Sequence, residues 1–251
     1  MATARTIVGV PVRYADRSEL VAALATPAGG EGSFLAAGML IREVGTGETL
    51  VLDVDDRDPG LRDAFEAASP YSTMTPDDFD AVDEHTMCLY LVDDGGGSIE
   101  AAQRMVRFVD GILARGGIAA KVESAGKAHS RADWAAFAAD VDDISRLVDA
   151  FMVLVGGGPG NDAYTCGMHN LGLPDVETSD AADLAATGNL LWTFCQYLAN
   201  DDPVLETGHT FSLSPDPPWY ELELGPCTRF APDDAFHNPF GVWRLHPTDP
   251  R

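Results

Sequence analysis

The sequence predicts an α+β fold, two α/β lobes closed by a proline-rich, irregular C-terminal strap. Three observations predict it. Over residues 1–125, β-branched apolar runs alternate with helical patterns in the order β-α-β-β-α-α-β-α-β. Two segments read as strongly amphipathic helices. Ile99, Ala102, Val106, Val109 and Leu113 share one face of the first, and Leu184, Leu191, Phe194, Cys195 and Leu198 one face of the second. Half of the 16 prolines follow Ser214, interleaved with Trp219, Phe230, Phe236, Phe240 and Trp243. Proline blocks long regular structure while aromatic rings seek burial.

Thr6 to Val12 is the first strand, and Pro11 marks its end or a sheet edge. Asp16, with Glu19 three residues on, caps a helix to Ala25 that Pro27 and a glycine pair close. Phe34 to Val44, nearly all apolar, reads as one strand buried on both faces, and Gly45-Thr46-Gly47 turns it into Leu50 to Val54. Asp58-Pro59 and Thr75-Pro76 each put a cap and a first-turn proline ahead of a short helix. His85 ends the second of these, where a cation offsets the helix dipole. Thr86 to Val92 is a buried strand, Gly95 to Gly97 lead into the Ile99 helix, and Ile118 to Val122 is a strand. The core of this order is similar to a split β-α-β, ferredoxin-like arrangement.

Beyond it, Ser130 and Asp133 cap a helix carrying Trp134 and Phe137. Ile144 to Val155 has helical spacing, although Phe151 to Val155 also fits a strand, and GGGPG at 156–160 stops either one. Tyr164 to Met168, His209 to Leu213 and Tyr220 to Leu224 read as short strands, with the second long helix from Asp180 to Ala199. No clean linker divides the chain. The lobes are set at 1–125 and 126–213 and the strap at 214–251, a single domain being the alternative.

The 251 residues carry a formal net charge of -24, from 40 acidic and 16 basic side chains. That field repels phosphate backbones and favours a basic protein partner, cations or cationic ligands, and so argues against nucleic acid. A solubilising acidic surface explains the same charge. Lys121 and Lys127 are the only lysines, and aspartate outnumbers glutamate 28 to 12. No apolar run reaches the length of a membrane span, and the N-terminus lacks a secretory h-region. Cys88, Cys166, Cys195 and Cys227 are widely spaced without a CxxC, which suits a reduced cytoplasm, with Cys88 and Cys195 as buried thiols.

The densest chemistry lies in AYTCGMHNLGLPDV, residues 163–176. Cys166, His169 and Asp175 could form a nucleophilic set, the acid or Asn170 orienting the imidazole. Cys166 and His169, with His209 as third ligand, could instead hold a divalent metal such as zinc with one open position. Residues three apart on a strand face opposite ways, so either use needs a bend that Gly167 and Gly172 permit. Paired structural zinc motifs are absent, and no thiol-hydrolase signature is matched. A scaffold role, in which His169 and Asn170 satisfy buried backbone groups, is the simpler reading. A second cluster, KVESAGKAHS at 121–130, sits where a strand gives way to a helix. It offers Glu123, Lys127 and His129 as ligand-binding groups, together with Asn170, although capping by Ser130 explains part of it. The run DDGGGS at 93–98 matches no phosphate-loop pattern, and its aspartates repel phosphate.

GVPVRYADRSEL, VDEHTMCLYLV, KVESAGKAHS, CGMHNLGLPD and GHTFSL together resemble a bacterial family, the domain of unknown function numbered 4261. The similarity runs from Thr6 to Leu224. It implies a bacterial protein, brings no established activity and transfers no catalytic residue, and it leaves the proline-rich tail unexplained. The expectation is therefore a non-enzymatic acidic binding protein of the cytoplasm, like an immunity protein, without a cofactor. The alternative is a small hydrolase or metal-dependent enzyme using Cys166, His169 and His209.

Overall fold

Alternating apolar strands and capped helices build two sheets in the computed structural model, which describes residues 4–26, 34–37, 39–70, 72–156, 162–179 and 183–248. The first sheet comprises β1 (Ala4–Val12), β2 (Phe34–Ala37), β3 (Leu40–Glu43), β4 (Thr49–Asp56), β5 (Met87–Gly96), β6 (Ala119–Val122) and β7 (Lys127–Ser130). Its order is β2-β3-β4-β5-β1-β6-β7, every pair antiparallel. The second contains β8 (Val153–Gly156), β9 (Ala163–Cys166), β10 (Asp175–Thr178), β11 (Thr210–Phe211), β12 (Trp219–Gly225) and β13 (Val242–Thr248). Its order is β11-β12-β13-β10-β9-β8, antiparallel except where β10 runs parallel to β13.

Alternation along the strands sorts the first sheet into two faces. Val8, Val10, Val12, Leu89, Leu91, Ala120 and Val122 turn inward to α1 (Arg17–Ala25) and α4 (Ile99–Ala114). Cys88, Tyr90 and Ala119 turn the other way, to α2 (Leu61–Ala67) and α3 (Pro76–Asp83). The inward cluster continues without a break into α5 (Arg131–Ala139), α6 (Ile144–Phe151), α7 (Leu184–Asp201) and the second sheet, so the two sheets share one core. The capping signals hold at three helices: Asp16 accepts from Ser18 and Glu19, and Thr75 with Asp78 and Ser130 with Asp133 form capping boxes. No helix among the described residues is long and apolar enough to cross a membrane.

Several expectations are corrected. Phe34 to Val44 is a two-strand hairpin at the sheet edge, and Leu35 and Leu40 face outward on it. Pro11 stands one residue before the end of β1, as expected, but not at a sheet edge: β1 lies between β5 and β6, and the Pro11 carbonyl accepts from Ile118. Asp93 to Gly96 extend β5 instead of forming a loop. His85 is buried with Nδ1 on the Val82 carbonyl and Nε2 accepting from Asp58 N–H, which a protonated ring cannot do. The strap is not irregular throughout. Val242, Trp243 and Leu245 make β13 an interior strand of the second sheet, flanked by β10 and β12. The closing Pro27 turn, the body of GGGPG and Asp180 lie outside the described residues.

Candidate functional site

Two left-handed glycines shape the 163–176 stretch. Gly167 at φ 112° ends β9, a single 3-10 turn follows over Met168–Leu171, and Gly172 at φ 81° leads back toward β10. The expected bend exists, but it does not join the expected pair. Cys166 Sγ approaches the Phe236 carbonyl at 4.0 Å, and both ring nitrogens of His169 are buried without a hydrogen-bond partner. Burial, aided by the nearby Asp175 charge, pushes the Cys166 thiol well up, the reverse of what a thiolate nucleophile requires. Burial lowers His169 to about 4, with His237 as the second cause.

Asp175 is a structural hub. Oδ1 accepts from Met168 N–H at 3.1 Å and Thr165 Oγ1 at 3.3 Å, and Oδ2 from Asn238 Nδ2 at 2.7 Å. It orients no imidazole. Asn170 ties the two sheets together, its Nδ2 donating to Gly167 O and its Oδ1 accepting from Ser124 Oγ, both at 2.8 Å. His209 precedes β11, four strand spacings from β9, or about 19 Å at the usual inter-strand distance. The donors Cys166, His169 and His209 therefore do not converge. Among the described residues no three His, Cys, Asp or Glu side chains are grouped to hold a metal ion.

An unpartnered buried imidazole is costly. His169→Leu is expected to raise stability by about 1 kcal/mol in urea denaturation. A loss of similar size would mean that the ring has a partner in solution.

The second cluster is better assembled. KVESAGKAHS does leave a strand and enter a helix, at the Ser130 cap of α5, but its second half is a further strand, β7, in a hairpin with β6. Lys127 and His129, two apart on β7, share a face, while Ala128 packs on the α2 side. Both reach the C-terminal end of α6, whose last carbonyls lack helical partners. The Lys127 ammonium donates to the carbonyls of Asp149 and Met152, and His129 Nε2 to that of Ala150 at 2.8 Å. A cation there also complements the helix dipole. Burial lowers Lys127 to about 8 against the pull of Asp149 and Asp133. Burial and the Lys127 charge lower His129 to about 3. Glu123 is elsewhere, paired with Lys121 at 2.6 Å on the opposite sheet face beside Gly9 and Tyr90.

Lys127 and His129 line a cleft of about 430 Å³, with Asp133 and Phe137 of α5, Arg146 and Asp149 of α6, Met152, and Trp192 of α7. Sequence reasoning missed Arg146, Asp149 and Trp192. Trp192 carried a signal, since it stands off the buried stripe of Leu191, Phe194, Cys195 and Leu198. A separate cleft of about 410 Å³, walled by Tyr164, Phe230, Phe236 and Val155, holds Cys166 in apolar surroundings.

Residues 164–244 match the family model described as Domain of unknown function (DUF4261). The DUF4261 match covers CGMHNLGLPD, GHTFSL and most of the second sheet, and ends three residues into β13. GVPVRYADRSEL, VDEHTMCLYLV and KVESAGKAHS precede it. No curated protein and no solved structure matches the chain.

Proposed function

We propose that this chain is a non-enzymatic binding protein that docks a basic protein partner, in the manner of an immunity protein. The observation that carries the reading is the acidic layer over the first sheet. Between residues 53 and 84 stand eleven acidic side chains against Arg57 and Arg62. Arg62 bridges Glu66 and Asp80, Arg57 pairs with Asp83, and Arg13 pairs with Glu84. Asp53, Asp55, Asp56, Asp63 and Asp77 are exposed and carry no ion pair among the described residues. They lie at the end of β4 and on α2 and α3, elements that the buried Leu61, Phe65 and Val82 anchor to the sheet. Uncompensated carboxylates on a rigid layer steer a cationic surface and speed its encounter.

Co-purification at low and high salt, repeated with Asp55→Lys/Asp56→Lys/Asp63→Lys, tests this. A basic partner should be held at low salt and released at high salt, and the charge-reversed protein should associate with it roughly tenfold more slowly or worse. Should no basic protein be retained, or should the variant hold it equally well, the reading fails.

A further inference from the structure

The cleft at the Lys127–His129 hairpin has more polar capacity than the α6 cap uses. Arg146 is exposed at the cleft and carries no ion pair among the described residues, in a chain where acids outnumber bases 40 to 16. Lys127 spends two of its three N–H groups on the α6 carbonyls. Trp192 is 41% exposed, yet its Nε1 donates to Asp149 Oδ1 at 3.0 Å, which fixes an indole in the cleft wall. Phe137 and Met152 extend that wall. A volume near 430 Å³ lies within the usual range of small-molecule sites.

We propose that this cleft binds a small monocarboxylate with an aromatic or apolar body, its carboxylate on Arg146 and its body against Trp192, Phe137 and Met152. The guanidinium fork matches a planar carboxylate bidentately. Asp133 and Asp149 line the same space and would repel the second charge of a phosphate dianion, which favours a single negative charge. A cationic ligand would face Arg146 and the Lys127 ammonium. Lys127 is in the same lining with one N–H to spare, so an oxygen on the body would find a further donor there. The site is independent of the acidic layer on α2 and α3, which covers the opposite face of the first sheet.

Saturation-transfer NMR on the full chain tests it, with phenylacetate, indole-3-acetate and cyclohexanecarboxylate as probes and phenylacetamide and phenyl phosphate as comparators, all at millimolar concentration. The carboxylates should bind and quench Trp192 fluorescence, a quench that Trp192→Phe abolishes. Arg146→Ala should weaken them roughly tenfold or more, Arg146→Lys less, and Arg42→Ala on the distant β3 not at all. Equal binding of phenylacetamide or phenyl phosphate, an unchanged affinity in Arg146→Ala, or no binding by any of the three carboxylates overturns the proposal.

Discussion

Gly167→Ala is expected to destabilise the chain by more than about 4 kcal/mol, enough to leave much of it unfolded without a stabilising co-solvent. Two separate costs add. At φ 112° an L-residue carries backbone strain of about 1 to 2 kcal/mol. The added Cβ would also lie 2.0 Å from the carbonyl oxygen of Phe151 and 2.8 Å from Ala125 Cβ. The first contact is backbone, so no side-chain rotation relieves it, and the end of α6 must move. That end presents the Ala150 and Met152 carbonyls to His129 and Lys127, so the same change should loosen the cleft. Gly208→Ala is the control: φ is 92°, but nothing lies within 4 Å of the new Cβ. It should cost about 1 kcal/mol, from strain alone. Urea midpoints for the two variants check this. Equal losses would mean that the overlap at residue 167 is relieved at little cost.

These glycines also explain what the sequence could and could not disclose. Gly167 and Gly172 read as permissive, and the bend they allow is present. Its direction is set by packing: a Cβ at Gly172 would strike the Gly97 carbonyl at the start of α4, a neighbour 75 residues away in sequence (172 − 97). No local pattern encodes that neighbour, so the sequence shows the turn but not which side chains it brings together. Local signals served the helices well, because capping boxes and apolar stripes are read within a turn or two. They failed for β7, β10 and β13. β7 is four residues long and pairs with its hairpin neighbour β6, whereas β10 and β13 take their pairing from distant chain, from each other. Lys127 and His129 read as ligand-binding groups in the sequence, and in the fold they cap the C-terminal end of α6, about 20 residues further on. The cleft joins side chains from β7, α5, α6 and α7, a convergence that spacing alone does not reveal.

Asp175→Ala should cost more stability at pH 5 than at pH 8, by on the order of 2 kcal/mol, the reverse of the usual pattern for a hydrogen-bonded carboxylate. Burial raises this acid to about 7, and donors from Asn238, Met168 and Thr165 pull the other way without overcoming it. In the unfolded chain an aspartate titrates near 3.9. Between those values the folded state binds more protons than the unfolded one, so stability falls as pH rises across the window and levels off above about 7. The alanine variant lacks this slope. His129 and His169, held neutral by burial, titrate alike in both proteins and cancel in the difference. At either pH the substitution also removes the acceptor of Met168 N–H, at roughly 1 to 3 kcal/mol. Urea denaturation of both proteins from pH 5 to pH 8 measures the two effects together. A cost that grew with pH would place the folded acid below its unfolded value and make the three donors, not burial, the stronger influence on β10.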